Sequence, residues 1–163
     1  MGKLLPALML IIISCSIGAI IRERMRFELN TIAELICDLK LMHASLVGEK
    51  RALRELLEML SLYGKQRKLW IKMIDRMNIG EDIGAASMSI KDCNIPENCR
   101  SAFAEYFSSF GRGDAAMESE KLKALTAKLC DVENSMRKEH EKRMKLILPL
   151  SAMLGSALAL IIL

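Results

Sequence analysis

Two stretches of this chain carry no charge at all, and they lie at its two ends. Leu4 to Ile21 reads LLPALMLIIISCSIGAII, and Leu146 to Leu163 reads LILPLSAMLGSALALIIL. Each is about 18 residues, roughly 27 Å of helix, close to the ~30 Å hydrocarbon core of a bilayer. A helix with no polar face in water must be buried on every side, and a chain of 163 residues seldom has such a place. Residues 4–21 and 146–163 are therefore predicted to be transmembrane helices, with residues 22–145 forming one domain between them.

The flanking charges choose the side. Arg22, Arg24 and Arg26 follow the first apolar stretch. Arg137, Lys138, Lys142, Arg143 and Lys145 precede the second, while only Lys3 sits on the opposite flank. Basic residues next to spans are retained in the cytoplasm, so residues 22–145 are expected there. The net charge of +4 concentrates at these flanks, where each basic residue gains about 1 kcal/mol from anionic headgroups, and it calls for no nucleic-acid partner. Ile12-Ile13-Ser14-Cys15 resembles a relaxed lipoprotein cleavage box, but apolar residues continue to Ile21 and arginines follow, unlike a signal peptide. The five cysteines are odd in number and scattered, which in a reducing cytoplasm means free thiols. Cys93 and Cys99 lack zinc-site spacing. No metal or other cofactor is expected.

The middle of the chain reads as helices joined by short turns. Met25, Leu29, Ile32, Ile36, Leu39, His43 and Leu46 step by three and four, a heptad seam on a helix running directly out of the first span. Gly48 to Lys50 is predicted to be a turn, with Gly48 in the left-handed position beyond the helix end. Leu53, Leu56, Leu57 and Leu60 mark a second helix ended by Tyr63-Gly64. Leu69, Trp70, Met73, Ile74 and Met77 mark a third, stopped at Asn78-Ile79-Gly80. Ile83, Ala86 and Ile90 permit a short helix. Pro96 is expected in the first turn of the next, which carries Phe103, Tyr106, Phe107 and Phe110. The sequence FGRGD then supplies a turn: Gly111 and Gly113 allow backbone angles closed to other residues, and Asp114 is a good N-cap. Leu122, Leu125, Leu129, Val132 and Met136 form a second seam leading into the last span. The fold class is all-α, an antiparallel helical bundle inserted between two terminal transmembrane helices.

Nothing in this pattern converges on catalysis. Of the two histidines, His43 lies in a seam and reads as structural, and His140 sits on a charged juxtamembrane face. GRGD lacks the lysine-threonine of a phosphate-binding loop and no strand precedes it. The chain is not expected to be an enzyme. Two surfaces are candidates for contacts instead. The tip Phe110, Gly111, Arg112, Gly113 and Asp114 is a candidate partner-binding loop, because residues 114–145 would carry it roughly 48 Å from the membrane face. In the spans, Ser14 with Gly18 and Ser151 with Gly155 are small residues one helical turn apart at matching depths, a spacing that lets helices approach closely in lipid, within the chain or between copies as a homo-oligomer.

With these features in order, the chain resembles the stage III sporulation protein AB family of endospore-forming bacteria. The likeness covers essentially the whole chain in three blocks: KLLPALMLIIISCSIGAIIRERMR, FSSFGRGDAAMESEKLKAL and EKRMKLILPLSAMLGSALALIIL. In the middle block Gly111, Asp114, Glu118 and Leu122 fall where the family has glycine, aspartate, usually glutamine, and an aliphatic residue. The chain departs from the family between its first two helices, where a tyrosine and a proline-leucine pair are replaced by Gly48 and Ala52-Leu53. The resemblance implies a domain like the cytoplasmic F domain of type II secretion and type IV pilus platforms. It implies a place in the mother-cell membrane facing the forespore. There the protein would link a secretion-type ATPase, stage III sporulation protein AA, to a channel built with other products of the same operon. The alternative reading of the same residues is a generic membrane-tethered helical scaffold or signalling adaptor.

Overall fold

A computed structural model describes residues 4–49, 52–93, 95–111 and 113–162. Within the terminal helices the side chains of residues 4–8, 10–11, 14–15, 49, 144, 147–148, 151–152, 154–156 and 158–162 lie outside the description. The chain divides into two compact units, residues 1–27 with 135–163, and residues 28–134.

The elements are α1 (Leu4–Glu49), α2 (Leu53–Tyr63), α3 (Arg67–Asn78), α4 (Ile83–Ser87), a 3₁₀ helix Met88–Asp92, α5 (Glu97–Ser109) and α6 (Ala115–Ile162). No strand occurs among the described residues. Three turns follow from their residues. Gly80, at φ 91°, ends α3: its N–H donates to the Met77 carbonyl and that of Glu81 to the Arg76 carbonyl, the paired bonds of a Schellman close. Asp82 caps α4 by accepting from the Gly84 N–H at 3.2 Å. Asp114 caps α6 by accepting from the Met117 N–H at 2.8 Å.

Two expected turns differ. Gly48 does not leave the helix: α1 runs through it to Glu49, and the positive-φ glycines among the described residues are Gly80 and Gly111. A lone glycine costs a helix only about 1 kcal/mol, and α1 ends one residue beyond it, at Glu49. Pro96 stands one residue before α5, as its N-cap at ψ 151°, and its carbonyl accepts from the Cys99 and Arg100 N–H groups.

In the unit 28–134, α1 meets its neighbours in antiparallel register. The Ser45 hydroxyl contacts the Met59 sulfur at 3.2 Å, while Asp38, two turns earlier, meets residues beyond α2. His43 touches Ser119 on α6, and Lys40 lies beside Thr126 and Ala127 further along α6. The buried face of α1 is wider than a heptad seam. Ile32, Ile36, Leu39 and Leu46 are buried as expected, but so are Leu35 and Met42, because α1 packs against α6 and also against the α2–α3 hairpin. Val132 and Met136 of the expected α6 seam are only half-buried.

The core centres on Trp70, Phe103 and Phe107, all fully buried. Their ring centroids are 5.9, 6.3 and 4.6 Å apart in tilted pairs. Each such side chain contributes on the order of 2–3 kcal/mol by leaving water, and the tilted pairing adds to that. Leu56, Leu57 and Leu60 of α2 and Leu122 and Leu129 of α6 are fully buried as well.

Candidate functional site

The tip between α5 and α6 is built from the expected residues, for reasons that differ among them. Phe110 is extended at φ −64°, ψ 139°, and its ring meets Tyr106 edge-on at 5.7 Å, so the turn is pinned to α5. Gly111 sits at φ 83° with nothing within 4 Å of a Cβ position, so conformation alone requires glycine there. Gly113 was expected to serve the same end, but it does not adopt a positive φ. A Cβ there would come within 2.6 Å of the Met117 sulfur and 3.2 Å of its Cβ. The close approach of Met117, whose exposed side chain can shift, makes glycine favoured rather than required there. Arg112 lies outside the described residues.

Below the tip, α6 turns polar side chains inward. Glu118 is only 3% exposed, and its Oε1 meets the Lys121 ammonium at 3.1 Å while its Oε2 has no hydrogen-bond partner among the described residues. The Tyr106 hydroxyl is likewise buried without a partner. Burial, then the negative charge of Glu118, pushes that phenol well above its usual range. A groove of about 330 Å³ beside it is lined by Ala102, Tyr106 and Ser109 of α5 and by Lys121, Leu125 and Lys128 of α6. His43 and Ser119, 76 residues apart, form a 2.9 Å contact between α1 and α6. Ser119 is buried, so this contact ties two helices together and does not present a nucleophile. Among the described residues no group of three or more His, Cys, Asp or Glu could hold a metal ion.

A second constellation was not legible beforehand. Asp38, 1% exposed on α1, accepts from the backbone N–H of Lys65 at 2.6 Å, that of Gln66 at 2.9 Å and the indole of Trp70 at 2.7 Å. It thereby fixes the turn between α2 and α3. Gly64 is needed behind it, because a Cβ there would lie 2.5 Å from the Leu60 carbonyl oxygen and 2.9 Å from Asp38 Oδ2.

The basic residues expected to flank the membrane belong to the other unit. Arg22 is half-exposed; Arg24, Arg26, Arg143 and Lys145 are exposed, and Arg143 pairs with Glu139 at 3.4 Å. Gly18 is half-exposed on α1, whereas the side chains of Ser14, Ser151 and Gly155 lie outside the described residues. Among the described residues no helix is long and apolar enough to cross a membrane.

The model of stage III sporulation protein AB matches residues 3–163. The chain belongs to this family. No curated protein and no solved structure matches it. The family motif now has a geometry. Gly111 supplies the positive φ of the turn, Asp114 caps α6, Glu118 is buried one turn on, and Leu122 is fully buried one turn further. Ala52, before α2, has φ −64°, the value a proline ring would set. The family assigns the chain a part in sporulation.

Proposed function

We propose that this member of the stage III sporulation protein AB family is a non-enzymatic structural component of a secretion-like complex in the mother-cell membrane facing the forespore. Residues 4–21 and 146–163 serve as its two spans, packed through Ser14/Gly18 and Ser151/Gly155, and residues 22–145 work in the cytoplasm. The tip Phe110–Asp114 contacts a secretion-type ATPase resembling stage III sporulation protein AA, and the spans meet channel proteins of the same operon. The observation that carries this reading is the family match over residues 3–163. It is supported by the charge-free ends, by the basic residues at their inner flanks, and by a turn fixed by Gly111 and Asp114.

The test is co-purification of the full chain from sporulating cells in mild detergent. A secretion-type ATPase is expected in the eluate, and Arg112→Glu is expected to release it without releasing the membrane partners. Recovery of the membrane partners with no ATPase in either case would overturn the link.

A further inference from the structure

The α2–α3 corner combines three features. First, it displays apolar surface: Leu62 is 60% exposed and Tyr63 75% exposed, side by side at the end of α2. Ile71, 45% exposed, shares the outer face of α3 with Arg67 and Lys68, which precede it by one turn. Second, its charge is mostly positive, with the exposed acids Glu58 and Asp75 at its two borders. Between Met59 and Ile74 the charged residues are Lys65, Arg67, Lys68 and Lys72. Lys72 pairs with Asp92, and Arg67 donates to the Ser61 carbonyl. Among the described residues Lys65 and Lys68 have no acidic partner. Of the nearby carboxylates, Asp38 is engaged by the turn itself, Glu34 by the Gln66 amide and Glu58 by Arg54, while Asp75 is exposed one turn beyond Ile71. Third, the turn between these groups is held from behind by hydrogen bonds from the Lys65 and Gln66 N–H groups to the buried Asp38 carboxylate.

We propose that this corner is a docking surface for an acidic segment of another protein, with Leu62 and Tyr63 as the apolar anchor and Lys65 and Lys68 as the charge-matching rim. Tyr is among the residues enriched at binding hot spots, and the rim around such a centre is polar. A fixed backbone removes the ordering cost that a mobile turn would impose on binding. A lipid surface would be served by apolar and cationic groups in any arrangement and gains nothing from such a fixed turn. A second copy of the same corner is repelled by its own charge. The surface is separate from the tip, and the proposal does not depend on the ATPase contact.

The experiment places photoreactive benzoylphenylalanine at position 63 of the full chain in sporulating cells, irradiates, and sequences the crosslinked peptide. The expected result is an adduct to one other protein through a segment rich in Asp and Glu. Its yield should fall about tenfold in the Lys65→Gln/Lys68→Gln variant and return in Lys65→Arg/Lys68→Arg. Unchanged Trp70 fluorescence in both variants would show that the corner itself is intact. No adduct, an adduct to phospholipid, to a second copy of this chain or to a segment without acidic residues, or a yield indifferent to the lysines, would each overturn the proposal.

Discussion

The Trp70 indole donates to Asp38 Oδ2 at 2.7 Å, joining two residues that are both buried and stand 32 positions apart. A carboxylate in this position is expensive unless every oxygen is occupied, and here three N–H groups occupy the two. Asp38→Ala strands those donors and is expected to cost about 3–5 kcal/mol. Trp70→Phe keeps the ring packing but removes one donor and should cost about 1–3 kcal/mol. Chemical unfolding of the full chain in detergent measures both, with near-UV ellipticity reporting on Trp70→Phe, which has no tryptophan left.

The helix order, the Gly80 and Gly111 stops and the Asp114 cap were all legible, because each is a local event dictated by neighbouring residues. Asp38 was not. It falls on the apolar face between Leu35 and Met42, and only a distant turn explains why an acid is tolerated there. The signal was present as a charged residue at a core register, but its partners lie at Lys65, Gln66 and Trp70. Glu118 is the same kind of case. The family resemblance marked its position, yet its burial becomes visible only once α5 and α6 are side by side. Gly48 shows the converse: a turn signal by residue type did not end the helix at that residue, since one glycine costs only about 1 kcal/mol of propensity.

The glycines should therefore separate by position. Gly48→Ala, inside α1 with nothing within 4 Å of the new Cβ, is expected to stabilise by about 0.5–1 kcal/mol. Gly64→Ala drives a Cβ to within 2.5 Å of a carbonyl oxygen and should destabilise by about 1–3 kcal/mol. Opposite shifts in thermal midpoint are the readout, and a destabilised Gly48→Ala would restore the turn at that position.

Alkaline pH should unfold the 28–134 unit before its ordinary groups are exhausted. Burial, and then Asp92, raises the Cys93 thiol. Burial raises Cys99, and burial with Glu118 raises the Tyr106 phenol. The folded state thus holds protons that the unfolded chain releases. Stability is full below the ordinary thiol range of about 8.5 and declines as pH rises beyond it, more steeply once phenols ionise near 10. At the acid end, the Lys72 hydrogen bond and charge hold the Asp92 carboxyl below its usual range. That contribution is present above the ordinary Asp range and is lost as pH falls. Asp92 is exposed, so salt should erase the acid effect and leave the alkaline one.

Asp114 satisfies one of the free amides at the start of α6, the Met117 N–H at 2.8 Å. Asp114→Ala should cost about 1 kcal/mol, small beside the roughly 5–15 kcal/mol of a typical domain, so the chain stays folded. Melting and sporulation measured together separate a cap from a contact. A folded Asp114→Ala chain that sporulates normally, alongside an Arg112→Glu chain that does the same, would make the tip a connector and move the ATPase contact elsewhere.

The orientation of the chain can be read from its thiols, provided the right one is chosen. Cys93 and Cys99 are poor reporters. Cys99 is 1% exposed, and both thiols are raised, so little thiolate is present near neutrality to attack a maleimide. Cys37 is exposed on α1, within the segment expected in the cytoplasm. A membrane-impermeant maleimide applied to intact cells should leave Cys37 unlabelled. After permeabilisation it should label Cys37 first, Cys93 slowly, and Cys99 only when denaturant opens the core. Peptide mass mapping resolves the sites. Labelling of Cys37 in intact cells would reverse the orientation drawn from Arg22, Arg24, Arg26, Arg143 and Lys145. Equal rates at all three cysteines after permeabilisation would contradict the buried setting of Cys99 in the first turn of α5.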